Sequence, residues 1–459
     1  MRYVSTRGET SPMAFQDAVI TGLAPDGGLL VPASIPDVSG KLPAWKNLGF
    51  VDLAAEVMGC FIDDIPPDDL SALVKRSYQN FDHAEIAPLV DLNQFQVLEL
   101  FHGPTLAFKD VALQFLGQLF DYTLGKRGGR LNILGATSGD TGSAAISGVR
   151  GKDNVNIGVM FPRGRVSPLQ QLQMTTVADS NVHCLSIDGS FDDCQSIMKR
   201  AFADLPFKTR HDLGAVNSVN WARVLAQVVY YVYLSLRCDK GDGVDVSVPT
   251  GNFGNIFAAY IARSMGAPLG RLLLGTNENN ILSVFFNSGD YRRGEVHHTI
   301  SPSMDIQVAS NFERFLYFGM QADGARCAEF MRKFADQGSA SVPASVLQDQ
   351  PITATAVDTA ETLATIQRIH NAHGYVLDPH TAVGVAAAEA LVPGANRERP
   401  LVCIATAHPA KFPDAIQEAL PGVHATHPRL EALKTLPQRL VELPATDVAV
   451  RDYVEANLV

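Results

Sequence analysis

The chain is predicted to be an α/β protein with mostly parallel sheets flanked by helices, preceded by an N-terminal segment of loops and helices. Two observations predict this. From residue 96 onward, short apolar runs alternate with helical patterns, and the runs lack the polar alternation of a half-solvated strand. Several runs also feed small-residue loops that lead straight into helices, as in strand–loop–helix units whose loops gather at the carboxyl ends of a parallel sheet.

Residues 1–95 read as an N-terminal domain. They carry Pro- and Gly-rich loops (APDGGLLVPASIPDV) and helical patterns at 51–60 and 67–78. The second pattern opens on Asp68 and Asp69, which suit the positive end of a helix dipole. Residues 96–459 read as one α/β region of two subdomains. Its strands are predicted at 131–135, 155–161, 182–187, 244–248, 271–275 and 400–405. Its helices are predicted at 109–122, 167–177, 191–203, 220–237, 254–265 and 358–373. Residues 290–350 are the least regular stretch and read as an insertion or a small extra domain.

At 459 residues the chain has room for about three domains. Hydrophobic residues at 46% and charged ones at 19% fit an ordered globular protein. A net charge of −11 argues against a nucleic-acid surface. No apolar run reaches the ~18 residues of a membrane span; LAQVVYYVYLSL at 225–236 fits a buried helix instead. The N-terminus lacks an apolar signal region, and the six cysteines are scattered without a CxxC pair, so a cytoplasmic protein with reduced thiols is expected.

Four segments carry chemistry. In LFHGPTLAFKD, residues 100–110, Lys109 follows an apolar stretch and opens a helical pattern whose positions 111, 112, 115, 116, 119 and 120 are apolar. A cation in the first turn of a helix is disfavoured by the dipole, which helps keep an amine neutral and nucleophilic. A surface lysine paired with Asp110 is the plainer alternative. In PTGNFGN, residues 249–255, the predicted strand VDVSV leads through Gly251, Asn252, Phe253, Gly254 and Asn255 into a helix, where exposed N–H groups favour a phosphate. A tight strand–helix turn reads the same way. There is no Walker lysine and no GxGxxG fingerprint. A nucleophilic lysine together with a separate phosphate cradle is what a pyridoxal-phosphate enzyme requires, the lysine holding the aldehyde as a Schiff base.

The third segment, GATSGDTGSAA at 135–145, clusters Thr137, Ser138, Asp140 and Thr141 at a predicted helix start, suited either to a carboxylate or to capping. The fourth, ATAHPAKF at 405–412, places Thr406 at a strand end, where it suits a ring nitrogen or simply closes a turn. Two histidine clusters are decoys for a metal. In HNAHGYVLDPH, Gly374 suits a helix C-terminus and Asp378-Pro379 a helix start, and His297-His298 has the wrong spacing. No metal site is expected, and no GxSxG elbow supports a hydrolase.

Together these segments resemble the threonine synthase family, within the fold type II (tryptophan-synthase-β-like) pyridoxal-phosphate enzymes. The resemblance runs along almost the whole chain: RYVSTRG, LAPDGGLLVP, FHGPTLAFKD, GATSGDTGSAA, VNSVNWARV, PTGNFGN, SNFER, DPHTAVG and ATAHPAKF, in family order. It implies Lys109 as the Schiff-base lysine, residues 251–255 on the cofactor phosphate and Thr406 facing the pyridine nitrogen. It implies Thr137, Ser138, Asp140 and Thr141 around the substrate carboxylate and ring, and Asn220 and Arg223 near the substrate phosphate. Arginine is apt there, since its fork grips phosphate bidentately.

Asp140 and Asn255 depart from patterns common among relatives, which puts direct contact of Asp140 with the cofactor in question. The implied reaction turns O-phospho-L-homoserine and water into L-threonine and phosphate, the last step of threonine biosynthesis, in a chain expected to be a monomer. The alternatives are a phospho-lyase ending at 2-oxobutyrate and a non-catalytic ligand sensor, although a sensor has no need of Lys109.

Overall fold

The computed structural model describes residues 1–137, 139–348, 350–394 and 398–458. Two sheets organise these residues, and both are largely parallel, as the unbroken apolar runs predict. The six-stranded sheet has the order Ile352–Ala356, Leu269–Thr276, Val244–Pro249, Leu401–Ala405, Gln96–Glu99, Leu89–Asp91. Only its last pair is antiparallel. The five-stranded sheet has the order Val441–Pro444, Val182–Asp188, Val155–Pro162, Leu131–Ala136, Leu213–Gly214, parallel throughout.

Two helices are buried on nearly every side. The helix predicted at 109–122 spans Lys109–Arg127 and, beyond the one apolar face expected, also buries Leu113, Gln114, Gly117, Thr123 and Leu124. The reason is its central position, packed against helices Pro67–Tyr78, Asp140–Val149 and Trp221–Cys238. Glycine makes one of these contacts very close: a Cβ on Gly117 would lie 1.9 Å from the Gly148 carbonyl oxygen, and one on Gly148 2.4 Å from that of Leu113. The helices headed by Lys109 and Asp140 therefore meet backbone to backbone, which brings their first residues together. Trp221–Cys238 contains the 225–236 run and buries its tyrosines and all its aliphatic positions except Leu236, which is partly buried. Among the described residues no helix is long and apolar enough to cross a membrane.

The N-terminal region packs on this body through specific ties. Arg7 Nε donates to Glu313 Oε1 at 3.0 Å, and the buried Arg314, which donates to the carbonyl of Val219, also donates to that of Leu30. Within 290–350, the stretch of weakest sequence pattern, the structure has helices Phe312–Gly319 and Gly324–Gln337. Phe312 and Phe315 belong to an aromatic cluster with Phe253, Phe285 and Phe286, so tertiary packing supplies what local periodicity does not show.

Candidate active site

A cleft lies between the loops that follow the strands, lined by residues of the 250–255 loop, Lys109, Asp140, Ser303, His380 and Thr406. Lys109 reaches it from the first position of helix Lys109–Arg127. The preceding Phe108 N–H donates to the Thr406 carbonyl at 2.8 Å, which ties the lysine to the end of strand Leu401–Ala405. Lys109 Nζ donates to Ser303 Oγ at 3.1 Å and lies 3.6 Å from Asp140 Oδ2. Burial pushes the pKa of the amine down; Asp140 opposes this, while Lys411 and Arg223 add to it.

Asp140 opens helix Asp140–Val149 and is buried. Its Oδ1 pairs with Lys411 Nζ at 2.7 Å and accepts from Gln170 Nε2 at 3.0 Å, and its Oδ2 accepts from Ser303 Oγ at 3.4 Å. Burial alone would raise its pKa, but Lys411 and Lys109 hold the carboxyl well below the usual carboxylate range. Neighbouring Asp110 behaves oppositely: burial pushes it up to about 6, against two hydrogen bonds from Thr105.

Across the cleft, strand Val244–Pro249 runs through the loop to helix Gly254–Ser264. Gly251 is needed for close approach, since a Cβ there would lie 2.8 Å from the Ser303 carbonyl oxygen. Phe253 takes a left-handed backbone with φ 65°, and its ring is held among Phe286, Phe312 and Phe315. Asn252 is exposed; its carbonyl accepts from Asn311 N and Nδ2, both at 3.1 Å. The Asn255 Oδ1 accepts from the hydroxyls of Tyr230 at 2.5 Å and Tyr231 at 2.7 Å. Those two donors orient the amide, and its buried Nδ2 has no hydrogen-bond partner among the described residues. Arg223, on helix Trp221–Cys238, is likewise buried with Nε and Nη1 unpartnered among the described residues, and burial lowers its pKa to about 10.

The structure thus brings Lys109, Asp140, Thr141, Arg223, Gly251, Asn252, Phe253, Gly254, Asn255 and Thr406 to one cleft. Two of the expected residues stand off the cleft lining. Asn220 is not among the lining residues: it caps its helix, accepting from Ala222 N at 3.1 Å and donating to the Val19 carbonyl at 2.8 Å. Asparagine suits an N-cap as well as a ligand contact, and here the amide oxygen makes the cap while the amide nitrogen ties the helix start to Val19. Thr137 is also off the cleft lining, and its Oγ1 accepts from the N–H groups of Gly139 and Gly142 at 3.1 and 3.0 Å, shaping the loop instead. Ser138 lies outside the described residues.

Sequence reasoning missed Lys411, Ser303 and His380. Lys411 stands in the ATAHPAKF segment, and its fully buried side chain was signalled only by the apolar, proline-bounded context. His380 lies in the segment set aside as a helix start, and Asp378 does cap that helix, accepting from His380 N and Thr381 N. The imidazole Nε2 accepts from Ser303 N at 3.2 Å, which leaves the proton on Nδ1 facing Asp378 Oδ1 at 3.0 Å. Ser303 sits in the irregular stretch and gave no signal.

Family models account for nearly the entire chain. "Threonine synthase N terminus" matches residues 2–78, "Pyridoxal-phosphate dependent enzyme" residues 82–407 and "Threonine synthase, C-terminal" residues 381–454. A threonine synthase of Schizosaccharomyces pombe is 45% identical over 91% of this chain and 89% of its own length. The chain belongs to the threonine synthase family. The threonine synthase of Pseudomonas aeruginosa is 44% identical over 97% of both chains. The crystal structure of PLP-bound threonine synthase from Brucella melitensis matches with a TM-score of 0.96 at 45% identity, covering 100% of this chain and 99% of that one. This is therefore the fold type II architecture of a pyridoxal-phosphate-dependent lyase. The cleft fits the threonine synthase cofactor on its own chemistry: a buried amine of depressed pKa shares it with a helix N-terminus, and the amide donor of Asn255 and two nitrogens of Arg223 have no partner among the described residues.

Proposed function

We propose that this protein converts O-phospho-L-homoserine and water into L-threonine and phosphate, with Lys109 as the residue that carries the cofactor. The observation behind this reading is the meeting, in one cleft, of a buried lysine with two buried donor groups, Asn255 Nδ2 and Nε and Nη1 of Arg223, that have no hydrogen-bond partner among the described residues. One amine and two separate anion-binding groups match a phosphorylated cofactor and a phosphorylated substrate.

Pyridoxal phosphate, when bound, supplies an electron sink that makes the Cα and Cβ protons removable and lets phosphate leave Cγ. The chain does the rest. Gly254 and Asn255 hold the cofactor phosphate at the start of helix Gly254–Ser264, with residues 251–253 setting the turn. Thr406 faces the ring nitrogen from its strand end. Thr141, in the first turn of helix Asp140–Val149, meets the substrate carboxylate. Arg223 grips the substrate phosphate with its unpartnered Nε and Nη1. Lys109 would take the Cα proton and pass it on, then carry the Cβ proton to Cγ as phosphate leaves; water gives its hydroxyl to Cβ, its other proton goes to the released phosphate, and a proton is returned to Cα. Ser303 Oγ keeps the amine oriented between these tasks.

The buried thiols of Cys184, Cys194, Cys238 and Cys327 are free, which suits a reducing compartment, and we place the protein in the cytoplasm as a monomer. The test is direct. The purified protein, loaded with cofactor, is given O-phospho-L-homoserine, and phosphate and carbon product are measured together. Threonine equimolar with phosphate is expected. Equimolar 2-oxobutyrate would make it a phospho-lyase, and no phosphate release would overturn the enzymatic reading.

A further inference from the structure

Two lysines share one carboxylate beneath the cleft. Lys411 is fully buried on the turn Pro409–Lys411, where its Nζ meets Asp140 Oδ1 at 2.7 Å and donates to the Thr105 carbonyl at 2.8 Å. Lys109 Nζ holds the other carboxylate oxygen only at 3.6 Å. Gln170 Nε2, at 3.0 Å from Oδ1, fixes the carboxylate plane and so the direction of Oδ2. A buried ion pair is costly to assemble and is weak evidence for stability. Here it sits one oxygen away from the amine that must stay unprotonated.

We propose that Lys411 is a positioning residue: by claiming Asp140 it leaves Lys109 without a full countercharge, so the Lys109 amine remains free as nucleophile and base. The remaining charged or titratable groups around this cluster are Asp110, bonded to Thr105, Arg223 across the cleft, and His380, which is held by Asp378. Of these, Arg223 acts on Lys109 in the same direction as Lys411. The depressed pKa of the Lys109 amine, for which Lys411 is one cause after burial, agrees with the geometry. The inference rests on the reading of Lys109 as the cofactor lysine.

The test compares Lys411→Met, Lys411→Arg and the double variant Lys411→Met/Asp140→Asn. Two pH profiles are read: kcat of the loaded enzyme, and the rate at which the full chain, stripped of cofactor, regains its visible band when pyridoxal phosphate is added. In Lys411→Met, Asp140 pairs with Lys109 alone, and the acid limbs of both profiles should move up by about 1 pH unit or more. Lys411→Arg should leave both limbs in place, and the double variant should return them toward the wild-type position. A Lys411→Met protein that melts earlier with both limbs unmoved makes Lys411 structural and overturns the proposal. If that variant does not fold, Asp140→Asn alone decides: the limbs must move down, and unmoved limbs overturn it. Retention of the visible band in Lys109→Ala would instead refute the cofactor-lysine reading, so the two failures are distinct.

Discussion

The two sides of the cleft differ in how their polar atoms are answered. Around Asp140 the partners are internal: Lys411, Gln170, Ser303 and Lys109 all face one carboxylate. Around the 250–255 loop, Arg223 Nε and Nη1 and Asn255 Nδ2 are buried without partners among the described residues. Buried donors left unpaired cost stability unless something outside the chain completes them. The first side therefore sets a protonation state from within, while the second is built to receive anions. The tyrosine pair on Asn255 Oδ1 sharpens the contrast, since it occupies the acceptor and leaves only the donor for a ligand.

The largest effect is expected on the internally paired side. Lys109→Ala should abolish turnover and the visible absorption of the loaded protein, checked by spectrum and by assay with O-phospho-L-homoserine. Substantial activity without added amine would move the cofactor to another lysine.

On the anion-receiving side, Arg223→Gln should lower kcat/KM by about tenfold to a hundredfold, the loss of a charge-assisted contact. Because nothing described bonds to its Nε or Nη1, melting of the ligand-free protein should not fall and cofactor affinity should hold. Normal kinetics with several degrees of lost stability would place Arg223 among the structural residues and blur the contrast.

A smaller effect is expected at Gly254. An added Cβ would stand 3.2 Å from Asn311 Nδ2, and that amide cannot easily yield because it also donates to the carbonyls of Ser218 and Asn252, both at 3.1 Å. Gly254→Val should weaken cofactor affinity about tenfold, on the order of 1.4 kcal/mol, read by titrating the visible band. Unchanged affinity in a folded variant would put the phosphate elsewhere.

How much of this was legible in the sequence depends on what each residue's role relies on. Val155–Pro162 and Val244–Pro249 each extend the predicted range by a single residue, and the first declares itself as an apolar run, the second by its three valines. The edge strands Ile352–Ala356 and Val441–Pro444 do not, because one alternates with exposed threonine and the other is mostly exposed. Lys109 and the 251–255 loop are legible because backbone position alone suggests their chemistry: a lysine heading a helix, and glycines between strand and helix. Lys411 and Ser303 are not, since their importance comes from Asp140 and Lys109, which only the fold brings near. Asn220 differs again, because its local capping role uses the same amide oxygen that a ligand contact would.

Borohydride reduction of the loaded protein, followed by peptide mapping, tests the division of labour at the cleft most directly. Reduction fixes the cofactor on whichever amine holds it, and two buried lysines, Lys109 and Lys411, flank the same carboxylate. The label should appear on the peptide containing Lys109 and leave Lys411 unmodified. A label on Lys411 would reverse the roles of the two lysines and contradict the account.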